Sequence, residues 1–283
     1  CYAAGQEMGK SSEMTTRQWK QAIDRLEAAR VPMVTFTGGE PTMREDLAEL
    51  VGYAKKMVTR LNTNGVNLTP ELVKAAGLDS VQVTLYSHDE AVHNALVGSS
   101  HFANTIQGIR NAVAAGLDIS INTPLCQKNA DYEVTLSFIH SLGVPFVTVS
   151  GLICTGMSGI NHLEYDLSGE ELFKIVRKAK SFCNAHEMEI DFTSPGLIER
   201  ERLEELGMNV PMCGACLSNM AIAPDGTVVP CQSWLGSDAS LGNILTEPFK
   251  RIWNHTKCKA LRNMSEEQAL QCPFRNEKGG CTK

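Results

Sequence analysis

Residues Val31–Pro41 read VPMVTFTGGEP, an apolar run that stops abruptly on two glycines, a glutamate and a proline. Such a run, bounded by turn residues, is the pattern of a short buried strand. Gly38 and Gly39 let the backbone approach a ligand closely, and Glu40 adds an acceptor suited to an ammonium group. Pro41 stands near the start of a following helix. Two glycines alone are an ordinary strand-to-helix turn. The whole Thr37–Pro41 loop, placed after a strand, points instead to a binding site.

The pattern on either side repeats. Thr15–Arg30 carries Trp19, Ile23 and Leu26 at helical spacing, with Thr15 or Thr16 as N-cap. After the loop come a helix over Arg44–Met57, a strand near Thr59–Thr63 and a helix from Pro70. The strand SVQVTLYS, the helix Phe102–Ala115 and the strand LDISINT follow, then the helix Tyr132–Leu142 and the strand PFVTVSG. A helix over Ser168–His186 and a short MEIDF strand close the region. Alternating strands and helices are the signature of parallel βαβ units. Right-handed crossovers curl them into a partial barrel whose strand C-termini share one face.

Composition bounds the rest. The 283 residues are 43% hydrophobic and 20% charged, enough for one large and one small domain. No apolar run is long enough for a membrane helix, and the first residues carry no secretory signal. A net charge of −6, without a basic stripe, speaks against nucleic acid as a partner. Ten cysteines with no secretory signal fit the reducing cytoplasm and metal binding better than disulfides. Six of them fall between Cys213 and Cys281. Cys126, Cys154 and Cys183 have no partners at ligand spacing and read as structural thiols.

Thr37–Pro41 and its setting resemble the radical S-adenosylmethionine (SAM) superfamily, whose GGEP loop holds the amino group of SAM. Family members bind a 4Fe–4S cluster through a C-x3-C-x2-C loop, and many peptide-modifying ones follow the last cysteine with Tyr-Ala. Cys1-Tyr2-Ala3 lies 37 residues before Gly38, so Cys1 matches that last ligand. By the resemblance, the first two ligands and the first strand are missing and the sequence is truncated at both ends. It further implies SAM contacts from Gly38, Gly39, Glu40, Pro41, Asn64, Thr84, Ser87, Asn122 and Gly151. His88 and His93 read as surface histidines, and no catalytic side chain is assigned.

The C-terminal segment reads Cys213-x2-Cys216-x9-Gly226-x4-Cys231, with a PDG turn between two short strands. That spacing alone suits a structural zinc site. Beside the first domain it is similar to the SPASM domain, which carries auxiliary iron–sulfur clusters. The family's later cysteine pattern is met by Cys272 and Cys281, but Arg275 stands at one ligand position and the next falls beyond Lys283. One auxiliary cluster is therefore expected, with its fourth ligand open; Cys258 reads as a non-ligand.

The fold class expected is α/β, a partial parallel (β/α)6-type barrel lacking its first strand, followed by a small Cys-rich α+β SPASM domain. The barrel is placed at residues 1–192, a bridging helix at 193–206 and the cluster domain at 207–283. The resemblance implies a radical SAM peptide maturase acting on a small precursor peptide or protein. It would use an external electron donor such as flavodoxin or ferredoxin. A cofactor-biosynthesis enzyme of the same superfamily and a non-catalytic metal-binding homologue are the alternatives.

Overall fold

The computed structural model describes residues 13–152, 165–235 and 239–263. Six strands form one parallel sheet in chain order: β1 (Met33–Phe36), β2 (Val58–Thr63), β3 (Ser80–Thr84), β4 (Asp118–Pro124), β5 (Phe146–Ser150) and β6 (Glu189–Phe192). The helices that connect them are α2 (Leu47–Tyr53), α3 (Pro70–Ala76), α4 (Glu90–Val97), α5 (Phe102–Ala114), α6 (Tyr132–Ser141) and α7 (Gly169–Ala185). Helix α1 (Thr16–Ala28) precedes the sheet. The sheet stays open, with β1 and β6 as its edges among the described residues, as the reading of an incomplete barrel implies.

Side-chain alternation explains why one face is covered. Leu61, Val81, Val83, Ile119, Ile121, Val147, Val149 and Ile190 are buried against Leu47, Val73, Ile109, Leu136 and Val176 of the helices. The intervening positions are polar: Arg60, Asn62, Gln82, Thr84, Ser120, Asn122, Thr148 and Asp191. Strand period two therefore gives an apolar outer face and a polar inner one. Inner residues pair in register and bond across strands. Gln82 Nε2 donates to Thr148 Oγ1 at 3.2 Å, and Thr148 Oγ1 donates to Asn122 Oδ1 at 3.0 Å.

Local chemistry sets the helix ends. Thr15 caps α1 and Ser168 caps α7, each in a capping box with Gln18 or Glu171. Helix α4, which sequence patterning did not separate from the strand before it, starts at the Asp89 side chain and stops at left-handed Gly98. Helix α2 is shorter than the Arg44–Met57 reading, because Arg44 leaves the Pro41–Met43 3-10 turn in an extended conformation and residues 54–56 form a turn.

After β6, α8 (Arg200–Glu205) buries Leu203 in the sheet's core, together with Leu197, Ile198 and Met208. The remaining unit holds the hairpin β7 (Ala221–Ile222) and β8 (Val228–Val229), then α9 (Phe249–Trp253) and α10 (Thr256–Arg262). Its core is shared. Met14, Ala22, Ile23 and Leu26 of the α1 region and Leu50, Ala54 and Met57 around α2 join Val228, Leu241, Ile244 and Ile252 in one apolar cluster. Arg25 Nη1 donates to the carbonyls of Ile244 and Glu247 at 2.7 and 2.8 Å, and the Met14 N–H donates to Pro224 O at 2.7 Å.

Candidate cofactor and metal sites

Because all six strands run parallel, the loops after them share one end of the sheet. Thr37–Pro41, Asn64, Thr84, Asn122 and Gly151 lie there together. Gly38 has φ +152°, and a Cβ added to Gly38 or Gly39 would meet no atom within 4 Å. The loop therefore offers bare, exposed backbone beside open space.

Glu40 is held from three directions. Its Oε1 accepts from the Thr42 N–H (3.0 Å), Thr42 Oγ1 (2.6 Å) and Thr63 Oγ1 (2.7 Å). Its Oε2 accepts from the Asn64 N–H (2.8 Å). Oε1 is saturated, while Oε2 keeps a lone pair for a further donor. A fixed carboxylate with spare acceptor capacity next to open backbone fits the amino group of an amino-acid ligand. Thr42 and Thr63 carry this arrangement, and sequence reading missed both, since a threonine in a turn or strand gives no sign of its partner.

The Asn64–Gly65 turn is fixed in turn by α5. Thr105 Oγ1 donates to Asn64 O at 2.9 Å, and Gly65 takes φ +79°. A Cβ on Gly108 would lie 2.0 Å from Gly65 O, so helix and turn touch backbone to backbone. Asn122 is half-buried, and its Oδ1 accepts from Thr148. Gly151 donates its N–H to Ser194 Oγ at 3.0 Å, and the position of a Cβ there is taken by Leu197. Its small size thus serves close packing on that side.

Ser87 is buried and its Oγ accepts from the Asp89 N–H at 3.1 Å, the bond of a turn before α4. Asn129, also buried, braces the same region through Tyr86 O, Pro124 O and the Cys126 N–H. His93 is no surface residue: it is 1% exposed, and its Nδ1 accepts from the Tyr86 N–H at 3.3 Å. Burial, with neighbouring His101 adding to it, holds the His93 pKa down to about 4. The amphipathic spacing of α4 was hidden by its short length, which is why the histidine read as exposed. Cys126 and Cys183 are buried structural thiols, and burial pushes Cys183 up to about 11.

In the C-terminal unit the hairpin works as the PDG turn implies. Gly226 has φ +87°, with Asn243 packed on it. The Cys216 N–H donates to Pro230 O at 3.3 Å, which sets Cys216 beside the backbone leading to Cys231. Cys216 itself takes φ +57°, rare for a residue with a side chain. Cys213 is exposed, Cys231 half-buried and Cys216 wholly buried. The three thiols are nevertheless not closed into a ready metal site; no group of three metal-binding side chains converges among the described residues. Cys216 Sγ instead donates to Cys258 Sγ at 3.1 Å. Burial pushes the Cys216 thiol up to about 12, and its bond to Cys258 adds to the shift. Sulfur donors around a hairpin still suit iron–sulfur or zinc binding once deprotonated. Cys1, Cys154, Cys272 and Cys281 lie outside the described residues.

Comparison with known proteins finds a match for both parts of the chain. Residues 1–139 match the model of the radical SAM superfamily, and residues 213–276 match the SPASM iron–sulfur cluster-binding domain. An AdoMet-dependent heme synthase from Nitratidesulfovibrio vulgaris is 28% identical over 95% of this chain and 79% of its own length. Among solved structures, anSMEcpe with bound AdoMet and the Cp18Cys peptide superposes with TM-score 0.70 at 19% identity. It covers 95% of this chain and 81% of that one. Streptococcus suis SuiB bound to its precursor peptide SuiA gives 0.69 at 16% identity, over 93% and 61%. These likenesses establish the shared fold.

Proposed function

Because this chain is a radical SAM superfamily enzyme with a C-terminal SPASM iron–sulfur domain, we propose that it is a maturase that abstracts hydrogen from a peptide or protein side chain. The cofactors of such an enzyme are SAM on a 4Fe–4S cluster and an auxiliary iron–sulfur cluster, whose chemistry is the reductive cleavage of SAM to a hydrogen-abstracting 5′-deoxyadenosyl radical. The protein's part is to bind, orient and shield.

Glu40 Oε2 would take the amino group of SAM, with Thr42, Thr63 and Asn64 keeping the carboxylate from rotating. Gly38 and Gly39 would leave room for the ligand backbone to lie close. Thr84 and Asn122, paired in register near the same sheet end, would meet its hydroxyls and carboxylate. Such pre-arranged polar groups fix a reacting centre without reorganisation. A reducing cytoplasm and an external donor such as flavodoxin or ferredoxin suit this chemistry.

The observation that carries the peptide reading is the pairing of the two units. The cluster domain shares its core with α1 and α2 of the barrel, and the fold as a whole superposes on structures solved with a bound peptide. One specific observation favours a second reading: the heme synthase is a relative in sequence over nearly the whole chain, which supports a substrate on a cofactor-biosynthesis route. Anaerobic incubation of the reconstituted protein with SAM and dithionite tests both. Candidate precursor peptides encoded nearby, and haem precursors, are added separately. The maturase reading requires faster 5′-deoxyadenosine formation and a mass change in a peptide. Acceleration by a haem precursor alone would favour the second.

A further inference from the structure

We propose that Cys216 and Cys258 form a reversible disulfide site, which closes under oxidising conditions and staples the turn before β7 onto α10. The inference concerns the metal-free chain and is independent of the substrate.

Cys216 and Cys258 are 42 residues apart in sequence, yet their sulfurs lie 3.1 Å apart and both residues are 0% exposed. Among the described residues no other two thiols are hydrogen-bonded to each other. Cys126 and Cys183 are as deeply buried but have no thiol partner. The Cys216 backbone is held in place, its N–H shared between Asn219 O at 3.0 Å and Pro230 O at 3.3 Å. Its φ of +57° lies in the left-handed region that favours glycine, so a side chain is kept here against backbone strain. The hydrogen bond which that side chain makes is the one to Cys258. Cys258 approaches from α10, and its own Sγ donates to Ile252 O at 3.5 Å. Both cysteines belong to the apolar cluster that joins α1 and α2 to the C-terminal unit.

A disulfide has its sulfurs about 2.05 Å apart, so small side-chain rotations close the remaining gap. The oxidant is a soluble low-molecular-weight disulfide. One cysteine thiolate attacks it, forming a mixed disulfide and releasing one small thiol. The second thiolate then attacks the protein sulfur of that mixed disulfide, forming the Cys216–Cys258 bond and releasing the other small thiol. The two cysteines give up two protons and two electrons, and the small disulfide takes both as two thiols. Burial makes closure slow, since solvent reaches either sulfur only when the helix opens locally. In a reducing compartment the pair stays a dithiol until the thiol poise turns oxidising.

The test uses the full chain, freed of metal by a chelator and checked by circular dichroism for retained helix. Wild type, C258V and the buried-thiol control C183V are equilibrated with reduced and oxidised glutathione at ratios from reducing to oxidising. Each sample is acid-quenched, alkylated in denaturant and mapped by mass spectrometry without reduction. In wild type a linked Cys216–Cys258 peptide pair should appear as the buffer turns oxidising and vanish with dithiothreitol. The melting midpoint should rise by about 5 °C over the reduced chain. C183V should behave as wild type, and C258V should show neither the cross-link nor the rise. The wild-type map decides the matter even where a variant fails to fold. Cys216 and Cys258 both recovered alkylated from the oxidising buffer would overturn the proposal. So would Cys216 joined to Cys213 or Cys231 instead, or a cross-link that leaves the melting midpoint unchanged.

Discussion

Glu40 Oε2 accepts the backbone N–H of Asn64 at 2.8 Å, tying the loop after one strand to the end of the next. The bond makes a single carboxylate both a structural clamp and the acceptor facing the open loop. The two roles separate on substitution. In Glu40→Gln one oxygen becomes an NH2 donor, which must face either Asn64 N–H or the three donors on Oε1. We expect a loss of about 1–3 kcal/mol in stability and at least a tenfold loss of SAM affinity. Denaturant unfolding and calorimetric titration with SAM measure the two. Unchanged stability would show that the clamp is absent.

Gly108 and Gly65 predict a steric effect far from any ligand. Gly108→Ala would place a methyl group 2.0 Å from Gly65 O, and only backbone movement relieves it. Overpacking of this kind costs about 1–3 kcal/mol or more. The shift is passed to Asn64 through Thr105, so SAM affinity should fall with stability. A variant melting as wild type would contradict the close approach.

Gly151 differs because its obstacle is flexible. Gly151→Ala would meet the Leu197 Cδ1 methyl at 2.4 Å. We expect a destabilisation of about 1–2 kcal/mol. Adding Leu197→Ala should recover part of that loss, so the double variant is more stable than the summed singles. A double-mutant cycle with no coupling would rule out the contact.

His93 predicts an acid limb of stability. Its folded pKa of about 4 lies below the ordinary value of 6.5, so the neutral ring is favoured in the folded chain. The contribution is fully present above pH 6.5 and is lost as pH falls toward 4. Denaturation midpoints measured from pH 7.5 to 4 should fall across that window. The fall should be shallower in His93→Met.

Arg25 joins α1 to the C-terminal unit through two carbonyls. Arg25→Ala should cost about 1.5–3 kcal/mol and speed amide exchange in α9 and α10 ahead of the sheet. Exchange rising evenly through the chain would refute a local tether.

The fold was legible because its signals are local. Strands such as SVQVT and the glycines after β1 declare themselves by composition and punctuation, and strand direction then places Asn64, Thr84 and Asn122 at one end. Contacts between distant residues were not legible. No sequence pattern announces that Thr63 reaches Glu40, that Gly108 rests on Gly65, or that α1 belongs to two cores. Cys258 illustrates the same boundary, since nothing in the sequence brings it beside Cys216 across 42 residues.

The shared core of α1 has a consequence for synthesis. Met14, Ala22, Ile23 and Leu26 leave the ribosome first of this cluster, Leu50, Ala54 and Met57 follow soon after, and Val228, Ile244 and Ile252 come some two hundred residues later. At roughly 5–20 residues per second, part of that apolar face waits on the order of ten seconds or more for its partners. During that interval the nascent chain presents a sticky helix with half its seat unbuilt. A ribosome-associated chaperone, or slow folding of the segment that carries α1, would have to shield it until Val228–Ile252 arrive.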